Sequence, residues 1–410
     1  MLLYIDPGTG SMLFTIILGV ISVLFFALQK MMIKVKTVIR GGGQKIETNY
    51  MPYMIFSDSK RYWNLFKPIC DEFEKRKTRL VYWTTSPDDP GLEEKYEYVT
   101  SEYIGDINKA VTRLNFMNAG ICISTTPGLD VYQWKRSKNV KWYVHVWHGA
   151  GDGTSYRMFG LDFFDAVLLS GQYQVDQLKK LEEIRHTKKK ELLVAGITYM
   201  DALLDKKNAA PEPENKVRTV LLAPSWGVSS ILCKYGSAII DSLIATGYRI
   251  IVRPHPQSMI SDKAVVEPLI RQYPDSEMFS WNFDNDNFEV LNQADIMISD
   301  FSSVIWDYTL VFDRPLIYAD TEFDKSPYDA CWLDEEMWVF ETLPTVGFPL
   351  KKEDLPRMKE IIDQAIDSEE LQKGRKAARE TAWQCIGESA ERITDYCIEK
   401  YNALERETIG

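Results

Sequence analysis

The sequence predicts an α/β protein of two doubly wound domains facing a central cleft, preceded by one transmembrane helix. Short apolar runs alternate with helical lengths along most of the chain, which is the pattern of largely parallel sheets covered by helices. A polar, proline-bearing stretch from Asp205 to Asn215 interrupts that alternation near the middle. The 410 residues also exceed what one hydrophobic core usually supports.

The elements follow in order. From Met12 to Leu28 seventeen residues carry no charge, close to the lower limit for crossing a bilayer. Only Asp6 is charged ahead of this run, whereas Lys30, Lys34, Lys36 and Arg40 follow it, the reverse of a secretory signal. The positive-inside tendency then places the remainder in the cytoplasm. Residues 1–40 are thus expected to form a single-pass anchor in the cell membrane, with a basic flank that can meet anionic head groups. A hairpin bending at Pro7 to Gly10, or a buried core helix, is the alternative. Gly41 to Gly43 give a flexible exit.

Within residues 44–205 strands are predicted at Tyr53 to Ser57, Leu80 to Thr84, Gly120 to Ser124, Lys141 to Trp147, Ala166 to Ser170 and Glu191 to Ala195. Helices are predicted at Arg61 to Lys77 and around Ile107 to Met117. Residues 216–355 repeat the alternation as a second Rossmann-like domain. Its strands are predicted at Thr219 to Ala223, Arg249 to Arg253, Glu277 to Phe279, Asp295 to Ser299 and Pro315 to Ala319. Its helices are predicted at Ala238 to Ala245, Ala264 to Gln272 and Ser303 to Phe312. Residues 356–410 read as helices packing back on the body.

Composition narrows the function. A net charge of −11 argues against a nucleic-acid partner, because phosphate backbones are held by clustered Lys and Arg. The six cysteines have no C-x-x-C spacing and read as reduced thiols. Asp284 to Asn287 reads as a short acidic turn, and no metal or other cofactor is expected.

Ligands of doubly wound sheets gather at the carboxyl ends of the strands, and the candidate residues lie there. At Ser299 to Ser303 a predicted strand ends in small hydroxyl residues and runs into a helix. Amides opening that helix, with Ser302, Ser303 and Asp300, make a phosphate-binding pattern; simple helix capping is the plainer alternative. His148 and His255 each follow a strand, one per domain. A neutral imidazole can take a proton from a hydroxyl, and an imidazolium can donate to phosphate. Gly149 and Gly151 let a ligand approach the chain beside His148, and Arg253 precedes His255 on the same face. Ser225 and Trp226 end another strand and are candidates for base or phosphate contact. Strand alternation puts His145 on the face opposite His148, in a structural role. His186, in the basic run Arg185 to Lys190, is expected on a solvated surface.

Trp147-His148-Gly149, Ala223 to Trp226, Arg253 to Pro256, and Ser299 to Tyr308 followed by Arg314-Pro315 resemble, in order and approximate spacing, the CDP-glycerol glycerophosphotransferases of teichoic acid synthesis. The resemblance spans roughly residues 120 to 320. It implies a GT-B-like transferase that moves glycerol phosphate from CDP-glycerol to a hydroxyl of a lipid-linked polymer precursor, releasing CMP. His148 would be the base, His255 would hold the donor pyrophosphate, and Ser302 and Ser303 would bind phosphate oxygens. Two departures stand out. Ala150 to Thr154 replaces the family's Thr-Pro-Leu-Lys-like continuation, and Gly196 to Asp201 keeps only the glycine and aspartate of a Gly-x-Pro-Arg-x-Asp pattern. The alternatives are a GT-B glycosyltransferase using a nucleotide sugar and a non-catalytic, membrane-tethered nucleotide-binding or scaffold protein.

Overall fold

A computed structural model describes residues 50–409 except 212, 214–216, 285, 301 and 320–322. The apolar run at 12–28 lies outside the described residues. Among those described, no helix is long and apolar enough to cross a membrane.

The first lobe is built on seven parallel strands: β1 (Met51–Ser57), β2 (Leu80–Thr84), β3 (Val99–Tyr103), β4 (Asn118–Ser124), β5 (Asn139–Val146), β6 (Ala166–Leu169) and β7 (Glu191–Val194). Their order is β3-β2-β1-β4-β5-β6-β7, so the chain reverses direction across the sheet between β1 and β4. The second sheet holds six: β8 (Thr219–Leu222), β9 (Arg249–Val252), β10 (Phe279–Trp281), β11 (Ile296–Ser299), β12 (Leu316–Ala319) and β13 (Gly347–Leu350). Its order, β10-β9-β8-β11-β12-β13, reverses between β8 and β11. Central strands such as β6 and β11 are buried at every position, because helices cover both faces, and they read as unbroken apolar runs.

Two strands are absent from the sequence prediction, and both are edges. β3 is Val-Thr-Ser-Glu-Tyr with a single buried residue. β13 contains Pro349, which an edge strand tolerates because its missing N–H leaves no ladder bond broken.

Helices α1 (Trp63–Lys75), α2 (Ile107–Asn115), α3 (Gln172–Arg185) and α4 (Thr198–Ala209) serve the first lobe. A single 3₁₀ turn, Lys60–Tyr62, precedes α1 where a continuous helix is predicted. α4 continues to Ala209, into the stretch read as linker. Ala210 is then extended at φ −80° and ψ 146°, as a residue before proline must be to clear the ring of Pro211. In the second lobe lie α5 (Ser237–Ile244), α6 (Lys263–Gln272), α7 (Phe288–Gln293), α8 (Val304–Trp306) and α9 (Trp338–Val346). The helix expected over Ser303 to Phe312 is one α turn followed by a π-helical segment, Asp307–Val311. Thr309 donates its hydroxyl to the Ile305 carbonyl at 2.5 Å inside this segment, drawing one i−4 acceptor toward a side chain.

The closing helices divide between the lobes. α10 (Met358–Asp367) and α11 (Glu369–Ala382) cover the second sheet, and α12 (Ser389–Ile409) returns to the first. Tyr401 packs its ring 5.0 Å from that of Tyr53, and Trp142 donates to the Tyr396 hydroxyl at 3.1 Å. Gly196 and Asp201, the retained family positions, fasten this return. Gly196 has φ +92°, and a side chain there would meet the Gln384 carbonyl at 2.9 Å. Asp201 accepts from Trp383 Nε1 at 3.1 Å and from the Ser389 amide at 3.2 Å.

Candidate active site

Both sheets present their reversal points at the carboxyl edge, where neighbouring loops diverge and leave a crevice. In the first lobe the loops after β1 and β4 flank that point, and His148 follows β5 beside them. Its Nδ1 lies 2.7 Å from Thr125 Oγ1 and 3.2 Å from the Tyr156 hydroxyl. The Tyr62 ring packs 5.2 Å from the imidazole, and Trp147 stacks at 6.4 Å. This wrapping holds the half-buried imidazole neutral, pushing its pKa down to about 4. With Nδ1 engaged, Nε2 is left without a hydrogen-bond partner among the described residues. A base at Nε2 requires the tautomer in which Nδ1–H donates to Thr125.

His145 is not independent of this group. β5 ends at Val146, so simple alternation stops short of His148, and the Tyr156 hydroxyl lies 3.1 Å from His145 Nε2 while also reaching His148. His145 is fully buried, and burial holds its pKa well below the ordinary value. Thr125, Tyr156 and Tyr62 went unread in the sequence. The hydroxyl-rich end of β4, Ser124-Thr125-Thr126, was the available signal, the same kind that drew attention to Ser302 and Ser303.

In the second lobe β8 and β11 flank the reversal point. Asp300 joins their loops, accepting from the Ser225 amide at 2.8 Å and the Ile231 amide at 2.9 Å. With both oxygens on backbone amides, this carboxylate shapes the Ser225 loop. Ser225 is 5% exposed, and its hydroxyl has no partner among the described residues. Arg253 is engaged within its own lobe. Its guanidinium donates to Asn282 and, at 2.7 Å, to the Asp284 carbonyl, so it organises the loop after β10. His255 accepts the Gln257 amide on Nδ1 at 3.1 Å, with the exposed Trp226 ring 6.4 Å away. Burial, and then the charge of Arg61, lower its pKa. Ser303 makes no side-chain capping bond, so the plain capping alternative does not describe it.

The lobes meet beside these residues. Ser302 and Ser303 line a cavity of about 250 Å³ together with Ala150, Gly151, Asp152 and Ser155 from the loop after His148. His148 itself is not in that lining. A side chain at Gly149 would meet nothing within 4 Å, so this position opens on free space. Asp152 clamps the loop to the second lobe, accepting from the Trp338 amide at 2.7 Å and the Val339 amide at 3.1 Å at the start of α9. Further along, Ala330 N donates to the Thr154 carbonyl at 3.0 Å and Asp329 N to that of Tyr156 at 2.9 Å. The run from Arg185 is no simple solvated surface: the Arg185 side chain is buried and pairs with Asp162 and, at 3.1 Å, with Asp329 of the second lobe. His186 is exposed at the end of α3.

Among the described residues no group of three side chains is arranged to hold a metal ion. At the acidic turn, Asp286 pairs with Lys206 at 2.9 Å.

Residues 44–396 match the family described as CDP-Glycerol:Poly(glycerophosphate) glycerophosphotransferase. A search of curated proteins finds no match. Among solved structures, the wall teichoic acid polymerase TagF superposes with a TM-score of 0.56 at 17% identity, covering 86% of this chain and 90% of that one. MnaA from S. aureus, solved with UDP, gives 0.54 at 13% identity, covering 87% and 97%. The UDP-GlcNAc 2-epimerase of Neisseria meningitidis gives 0.52 at 12%, covering 85% and 100%. The fold is GT-B-like.

Proposed function

We propose, from the premise that this chain belongs to the CDP-glycerol:poly(glycerophosphate) glycerophosphotransferase family, that it transfers glycerol phosphate, or a similar polyol phosphate, from a CDP-alcohol to a hydroxyl of a lipid-linked cell-surface polymer precursor. CMP is the second product. The observation that carries the reading is the shared cavity between the loop after His148 and the serines opening α8.

In this reading the first lobe takes the acceptor and the second the donor. The acceptor hydroxyl sits against His148 Nε2. Its oxygen attacks the phosphorus that bears the glycerol, the bond from that phosphorus to the bridging oxygen breaks, and the electron pair leaves on CMP. The hydroxyl proton passes to His148. A neutral imidazole is ready to accept it, and the negative diphosphate nearby raises its affinity for the proton once donor is bound. His255, the Ser225 hydroxyl, Ser302 and Ser303 offer donors to the phosphate oxygens, which is what phosphoryl transfer chiefly needs. The apolar run at 12–28 would hold the protein on the membrane where such an acceptor resides.

The test is incubation of the full-length protein with CDP-glycerol and a lipid-linked acceptor, following CMP. CMP release that depends on the acceptor is the expected result. A folded protein that releases none with several acceptors, and is protected against heat by UDP-sugars but not CDP-alcohols, would point to a glycosyltransferase instead.

A further inference from the structure

The 3₁₀ turn after β1 occupies the first lobe's reversal point, the counterpart of the Ser225 loop in the second. Ser59 caps this turn, accepting from the Arg61 amide at 3.4 Å. Its three side chains have different fates. Lys60 is tied back to Asp88, and Tyr62 packs against the His148 ring. Arg61 is exposed, and its guanidinium has no hydrogen bond or ion pair among the described residues. Yet it stands close enough to His255, in the other lobe, for its charge to disfavour the imidazolium. An uncommitted guanidinium therefore lies at the carboxyl edge, with one histidine beside its turn and the other within reach of its charge.

We infer that Arg61 is the first lobe's contact to the donor diphosphate, closing from the acceptor side the grip that the second lobe begins. The inference rests on the reading above. A planar guanidinium presents two parallel N–H groups to phosphate oxygens, and at the bridging oxygen it neutralises charge that develops as CMP departs. The carboxyl three residues before it does not oppose this strongly. Asp58 is drawn toward its neutral form by burial, with Oδ1 lacking a partner among the described residues.

Arg61→Ala and Arg61→Lys, made in the full chain, test it through thermal unfolding with CDP-glycerol or CMP and through CMP release. Ligand-free unfolding should be unchanged, because the side chain holds nothing in the fold. In Arg61→Ala the extra protection given by CDP-glycerol over CMP should vanish, and kcat/KM for the donor should fall about 100-fold. Arg61→Lys should recover part of both. If wild type is protected by CDP-glycerol and Arg61→Ala is protected equally, with equal kcat/KM, the inference is overturned while the transferase reading stands. If CDP-glycerol fails to protect even wild type, both fall. A drop in ligand-free stability that matches the lost activity, with Arg61→Lys no better than alanine, would also overturn it.

Discussion

The two histidines of the cleft are held in opposite ways. His148 is enclosed by Thr125, Tyr156, Tyr62 and Trp147, with one ring nitrogen engaged and the other without a partner among the described residues. His255 rests on a single backbone amide beside an exposed tryptophan, and the serines of the same lobe are open too, Ser302 half-buried and Ser303 exposed. The difference suits the two roles proposed above. A base must be aimed before the reaction, since its geometry governs the rate, whereas groups that hold a mobile diphosphate can be completed by the ligand itself.

The sharpest way to break this comparison is at His148. His148→Ala should lower the kcat of CMP release by about 10²–10⁴-fold while leaving CDP-glycerol protection largely intact. His255→Ala should instead weaken donor binding. Exchange of these two phenotypes would reverse the assigned roles.

Asp152 tests whether the enclosed side depends on the other lobe. Asp152→Ala strands the Trp338 and Val339 amides, so urea unfolding should show a loss of about 1–3 kcal/mol, with Asp152→Asn milder. No change would mean that the clamp is dispensable.

A smaller effect should follow acidification. The folded pKa of His148, about 4, lies below its ordinary value of 6.5, so the unfolded chain binds more protons between these limits. Stability is therefore present above pH 6.5 and is lost as pH falls toward 4. His145 acts in the same direction, which makes the informative quantity the difference between wild type and His148→Asn across this window. A variant as acid-sensitive as wild type would show that His148 is not desolvated.

The smallest change is expected at the open side. Trp226 is 49% exposed, so Trp226→Ala should cost less than about 0.5 kcal/mol in unfolding. A several-fold rise in donor KM would show that the ring meets the ligand. A large stability loss would contradict the openness assigned to this lobe.

The same contrast governs what could be read from sequence. The central strands announced themselves because burial on both faces leaves only apolar residues, and the strand-end histidines and serines followed from them. The polar edge β3 and the proline-bearing β13 lacked that signal. Thr125 and Tyr156 remained hidden for another reason: each is an ordinary residue made relevant only by contact with His148, from 23 and 8 positions away. Arg253 and Asp300 stood at the expected strand ends, but position along a strand does not fix where a side chain's bonds go, and both organise neighbouring loops.

The return of α12 to the first lobe gives the molecule a mechanical character. The backbone passes between the lobes twice, once after α4 and once between Trp383 and Ser389, and the second passage is pinned by Asp201 at the start of the very helix that precedes the first. A body hung at two such points turns about the line joining them and resists twisting in other directions. Any relative movement of the lobes would thus swing like a door about that line, carrying the loop after His148 and the serines of the second lobe along a single arc.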